Sequence, residues 1–148
     1  MWILYAFAAS LCWGISYAAS GPVLKKGLSP LVFFFGYSLF GLAGAATALA
    51  SSGKLLPALR LDGIERGDRG LFLFSILGSA LGAYLTYAAM SAKNPTLVSL
   101  IEISYPLFVI IFTWVLFREF QLTPSTLFGA VLILAGVVIL TLSERRAD

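Results

Sequence analysis

Histidine is absent from the 148 residues, cysteine occurs once, and only 11% of the chain is charged. Each shortage excludes something. A soluble domain carries about 25% charged residues, so this chain is not built to face water on all sides. Cys12 has no second cysteine with which to form an intrachain disulfide, and inside an apolar run it reads as a small hydrophobe. With no histidine and a single acid within the apolar runs, the ligand supply for a metal is missing; neither metal nor cofactor is expected. No glycine-rich phosphate loop and no nucleophile–base pair occurs, which argues against an enzyme. The basic residues are scattered and do not interleave with aromatics, so no nucleic-acid partner is expected. The net charge of +3 suits loops beside the headgroups of a lipid bilayer instead.

What the chain has in abundance is apolar length. Hydrophobic residues make up 59% of it, and the mean hydropathy is +0.94. Five apolar runs cover residues 2–24, 30–50, 70–90, 96–117 and 123–142. Each has the roughly 20 residues that an α-helix needs to cross a hydrocarbon layer about 30 Å thick. Strands of a membrane barrel would be half as long and would alternate polar with apolar residues, and these runs do not. The expected fold is therefore an all-α integral membrane protein, with residues 1–148 forming one domain of five transmembrane helices. The first run lacks a basic leading segment and a small-residue cleavage site, so it is expected to stay as a span. Short punctuated turns separate most runs: Lys25-Lys26-Gly27 with Ser29-Pro30, Lys93-Asn94-Pro95, and Arg118 to Pro124 with Thr123 as N-cap. The connection from Ser51 to Gly70 is longer. Its Asp62/Arg66 and Glu65/Arg69 pairs have helical spacing, but Gly63 and Gly67 weaken any helix, and a solvated connector is expected.

Five spans place the two termini on opposite sides, and the bias of Lys and Arg between short loops should set the orientation. Lys54, Arg60, Arg66, Arg69 and Arg118 lie on the N-terminal side; Lys25, Lys26, Lys93, Arg145 and Arg146 lie on the other. The count is even. Two readings stay open: the long connector distorts the count, or the chain inserts both ways up and pairs with its inverted copy. The second would build from one short chain the inverted repeat that many transporters carry in a single polypeptide.

The acid inside the runs is Glu102, in TLVSLIEISYPLF (Thr96–Phe108). It lies about 9 Å along the fourth helix, where a charge costs about 2.5–3.5 kcal/mol to insert unless it faces protein or a water-filled cavity. Desolvation favours the protonated form of a carboxyl group, so proton binding is part of the expected chemistry. Ser99, Glu102, Tyr105/Pro106, Val109 and Thr113 are spaced by three and four residues, as one face of a continuous helix would be. Pro106 has no N–H to give the carbonyl of Glu102 and is expected to kink the helix there. A carboxylate, a carbonyl and a tyrosine hydroxyl on one turn would suit a proton, a cation or a hydrogen-bonding solute.

Other runs carry aromatic faces: Trp13 and Tyr17 in the first, Phe33 and Tyr37 in the second, Tyr84 and Tyr87 in the third. Such rings can line a cavity and attract cations. Tyr87, near its helix end, fits the interfacial belt better than Tyr17 or Tyr37 does. The candidate solute- and proton-binding set is thus Glu102, Tyr105, Ser99, Trp13, Tyr17 and Tyr37. Gly78 with Gly82, and Gly129 with Gly136, would let helix backbones approach closely, within the chain or between copies.

The pattern resembles the EamA-like domain of the drug/metabolite transporter superfamily. The resemblance rests on Trp13-Gly14, on Lys26 through Ser29-Pro30, and on the stretch YAAMSAKNPTLVSLIEISYPLFVIIFTWVLFREFQLTPSTLFGAVLILAGVVIL from Tyr87 to Leu140. Pro106, Glu119 and Gly129–Gly136 stand where that family has them. Most members join two inverted five-helix units into ten helices; this chain is similar to one half of such an inverted-repeat transporter. The resemblance implies an antiparallel homodimer or a partner chain, a central cavity, alternating access and a small-metabolite substrate. It also implies a bacterial-type inner membrane location. Two departures stand out. Many members have an arginine early in helix two, where this chain runs FFFGYSLFG, and many lack an acid at the position of Glu102. The expected function is transport of small metabolites or organic cations, with proton-coupled exchange through Glu102. The alternatives are an uncoupled carrier of a neutral metabolite and a non-transporting subunit of a heteromeric assembly.

Overall fold

The structure is a computed structural model that describes residues 1–119 and 123–147, with side chains described through residue 143. Residues 120–122 of the last connection, and the side chains of Arg145 and Arg146 from the charge count, lie outside the described residues. Among the described residues every regular element is helical: α1 Trp2–Lys25, α2 Pro30–Ser51, α3 Leu55–Leu59, α4 Arg69–Ala92, α5 Pro95–Glu102, α6 Tyr105–Phe117 and α7 Pro124–Ala147. Five stretches are long and apolar enough to span a bilayer: α1, α2, α4, α5 with α6 (Pro95–Phe117), and Pro124–Ser143 of α7.

Local chemistry explains where the helices start and stop. Proline opens α2 and α5, where the first-turn N–H groups have no partner to lose. Asn94 caps α5 by accepting the Leu97 N–H at 2.9 Å, and Thr123 Oγ1 accepts the Thr126 N–H at 3.2 Å ahead of α7. α2 ends in a glycine-closed turn. Lys54 N–H reaches back to the Leu49 carbonyl at 2.9 Å and Gly53 N–H to that of Ala50 at 3.1 Å, with Gly53 at φ 67°. Glycine takes this left-handed conformation without the Cβ clash that other residues suffer.

The fourth span is not one helix. Ile103 N–H still bonds the Ser99 carbonyl at 3.1 Å, but Ser104 N–H bonds Ile101 at 3.1 Å and Leu107 N–H bonds Ser104 at 3.0 Å. The last two are three-residue steps, tighter than an α-helical turn. Pro106, which cannot donate, sits inside this stretch and accounts for the interruption.

The chain divides into two compact units. One comprises residues 1–18 and 93–148, the other residues 19–92. In the second unit α2 packs against α4, and the contact is aromatic. Phe33 meets Tyr87 with ring centroids 4.6 Å apart, Tyr37 meets Tyr87 at 6.0 Å, and Phe34 meets Tyr84 edge-on at 6.1 Å. Tyr87 is 1% exposed and Met90 0%, and Met90 accepts the Ser20 hydroxyl at Sδ over 3.5 Å. The interfacial-belt reading of Tyr87 is therefore corrected: it is a packing centre, held there by the Phe33 and Tyr37 rings one helical turn apart on α2. In the first unit α5 packs against α7 and buries Val98.

Most large apolar side chains point outward, Phe40 and Leu4 among them. Cys12 is also exposed. Among the described residues, a Cβ built on Gly78, Gly82, Gly129 or Gly136 meets nothing within 4 Å.

Two outcomes follow for this architecture. Tyr87→Ala leaves a cavity between α2 and α4 and is expected to lower stability by about 3 kcal/mol; Tyr87→Phe keeps the ring and loses less, as read from thermal midpoints in mild detergent. Pro106→Ala restores a backbone donor, and amide hydrogen exchange at residues 103–107 is expected to slow at least about tenfold as the interruption heals.

Candidate functional site

The site is built on the interruption of the fourth span. α5 has 8 residues, so its last residue, Glu102, lies about 10 Å from the start of that helix. The carboxylate is half-buried and stands at the carbonyl end of α5. That end carries partial negative charge from the aligned peptide dipoles, and the amide end of α6, at Tyr105, carries partial positive charge. Acid and helix end act in the same sense at Glu102. Both attract a cation there, as the ends of broken helices do in other membrane carriers.

Other candidates share the unit of Glu102. Ser99, one turn before it, is half-buried, and its hydroxyl donates to the Thr96 carbonyl at 2.9 Å. Trp13 and Tyr17, one turn apart on α1, tilt against each other at 5.4 Å between ring centroids. Trp13 is 42% exposed and Tyr17 half-buried.

Two expectations about the face of the fourth span do not carry through. Tyr105 is 66% exposed and Val109 55%, whereas Pro106, Ile110 and Thr113 are half-buried with Glu102. Spacings of three and four residues define a face only along one axis in one phase, and the tight turns at Ser104 and Leu107 change both. Tyr37 belongs to the other unit, where its ring meets Tyr87.

The sequence reading missed Ser20 and Met90, a buried polar pair from α1 and α4. Nothing in their spacing points to each other; they are 70 residues apart. Among the described residues no cluster of three His, Cys, Asp or Glu side chains could hold a metal ion.

A model of the EamA-like transporter family matches residues 1–142. No curated protein and no solved structure matches the chain significantly. That family consists of membrane transporters and not of enzymes. A match over nearly the whole chain and five apolar spans agree, and the chain belongs to the EamA-like transporter family, as an integral membrane protein that transports small molecules.

Proposed function

We propose that the protein exchanges protons for an amine- or cation-bearing solute, and that Glu102 holds one or the other but never both. The observation that carries this reading is the position of Glu102 on the carbonyl end of α5, at an interruption inside the bilayer. A carboxylate there attracts a cation strongly because little water screens it. Once protonated it is neutral and releases the solute, which couples proton entry to solute exit. Ser99, Tyr105, Trp13 and Tyr17, which share the unit of Glu102, are the proposed orienting groups, with the Trp13 indole suited to an organic cation by its ring electrostatics.

The working unit we propose is an antiparallel homodimer in the inner membrane of a bacterial-type cell. Three facts support it. The Lys and Arg count is five on each side. Its five candidate spans are consistent with a half-unit of this family. The glycines Gly78, Gly82 and Gly136 are exposed, and the backbone of a second copy could approach closely there. In such a dimer the exposed Tyr105 would face the other copy.

Two measurements test these proposals. Purified protein in weakly buffered detergent, challenged with a panel of amines and organic cations, should release protons on binding, and Glu102→Gln, whose neutral amide stands in for the protonated carboxyl group, should show neither the release nor the binding. Ligand binding to the unmodified protein with no proton release would sink the exchange mechanism. For the dimer, a single cysteine at Ser52 in a Cys12→Ser background should react with an impermeant maleimide to about half from each side of the membrane. Labelling from one side alone would refute dual orientation.

A further inference from the structure

The connector between α2 and α4 contains a helix too short to cross a bilayer, α3, that is apolar on both of its faces. One face packs: Leu55 and Ala58 are half-buried, and α3 lies against α2. The other face presents Leu56, 65% exposed, and Leu59, 72% exposed, one turn apart with Pro57 between them. The turn is firmly closed. Ala58 N–H bonds the Lys54 carbonyl at 3.0 Å, and Asp62 and Leu61 N–H groups close the far end on Pro57 at 2.9 Å and Ala58 at 3.1 Å. Leu61 takes a φ of 56° to complete that closure, a conformation a leucine rarely adopts.

Location decides what covers the outer face. α2 and α4 both span the membrane, so the connector begins and ends at the same bilayer surface. Leu55 follows Ser51 by four residues, a reach of at most about 14 Å, and the glycine-closed turn at Gly53 shortens it. α3 therefore lies within the headgroup layer or directly beside it. The charge pattern changes at the same point. From Ser51 to Leu61 the charged residues are Lys54 and Arg60, both positive, whereas from Asp62 to Arg69 acids and bases mix.

We propose that Lys54–Leu61 is an interfacial anchor. Leu56 and Leu59 sit at the boundary between headgroups and acyl chains, and Lys54 and Arg60 reach lipid phosphates, while Asp62–Arg69 stays in water. Apolar side chains at the level of the acyl boundary with cations beside them are how short amphipathic segments hold to an anionic membrane surface. The anchor fixes the end of α2 at one depth, which also sets the depth of the Phe33–Tyr37 face.

The test uses the full chain in a Cys12→Ser background, with a nitroxide on single cysteines replacing Leu56, Leu59, Asp62 or Arg66, in vesicles of phosphatidylethanolamine and phosphatidylglycerol. Positions 56 and 59 should collide preferentially with oxygen, and positions 62 and 66 with a water-soluble nickel chelate. Nickel access at 56 and 59 equal to that at 62 would overturn the anchor. Shielding of 56 and 59 from both reagents would overturn it equally, since it would mean a covering protein surface. In Lys54→Gln/Arg60→Gln the oxygen preference at 59 should fall at least about twofold; an unchanged value would remove the phosphate contacts from the proposal.

Discussion

A backbone amide in hydrocarbon has no water to turn to, and each unmet N–H or carbonyl there costs several kcal/mol. This constraint shapes everything else in the chain. It makes every span helical, and it requires each helix end to be closed by local means. Asn94 and Thr123 supply side-chain acceptors at their helix starts, and Gly53 closes the end of α2 with its left-handed turn. Among the described residues one span is split into two helices, at Ile103–Ser104, and there the chain places its intramembrane acid. Irregular backbone at membrane depth is tolerated where it faces protein or a polar cavity. The position of Glu102 and the interruption thus follow from one physical rule.

Packing between spans follows a second logic. Lipid tails are as apolar as leucine, so burying leucine between helices gains little in a bilayer. The contacts that do form rely on shape and polarisable groups: the tilted rings of Phe33, Tyr37 and Tyr87, and the Ser20 hydroxyl on the Met90 sulfur. The outward side chains such as Phe40 face their proper solvent and need no partner.

The spans were legible in the sequence because the requirement for about 20 apolar residues is a property of composition, which needs no knowledge of neighbours. The start of α7 was legible too, since Thr123-Pro124 is a local signal. What stayed hidden depends on the rest of the molecule. Tyr87 looked like an interfacial ring because position along a helix says nothing of what stands opposite, and Phe33 and Tyr37 stand opposite. Tyr105 was counted on the face of Glu102 because Pro106 revealed that the helix would be disturbed but not that tight turns would change its phase. α3 went unread because Gly63 and Gly67 argued against a helix across the whole connector, and the five residues Leu55–Leu59 end before either glycine.

Helix starts written into the local sequence have a further effect. Pro30, Pro95 and Pro124 each open a membrane span, a start signal carried by the local sequence. The registers of those spans are therefore set as soon as they leave water, before Tyr87 finds Phe33. A micelle that pulls α2 from α4 would leave the helices standing, so far-ultraviolet circular dichroism is nearly blind to whether this protein is assembled. The environment of its packed tyrosines, seen in the near ultraviolet, is the signal that distinguishes a folded carrier from five helices sharing a detergent.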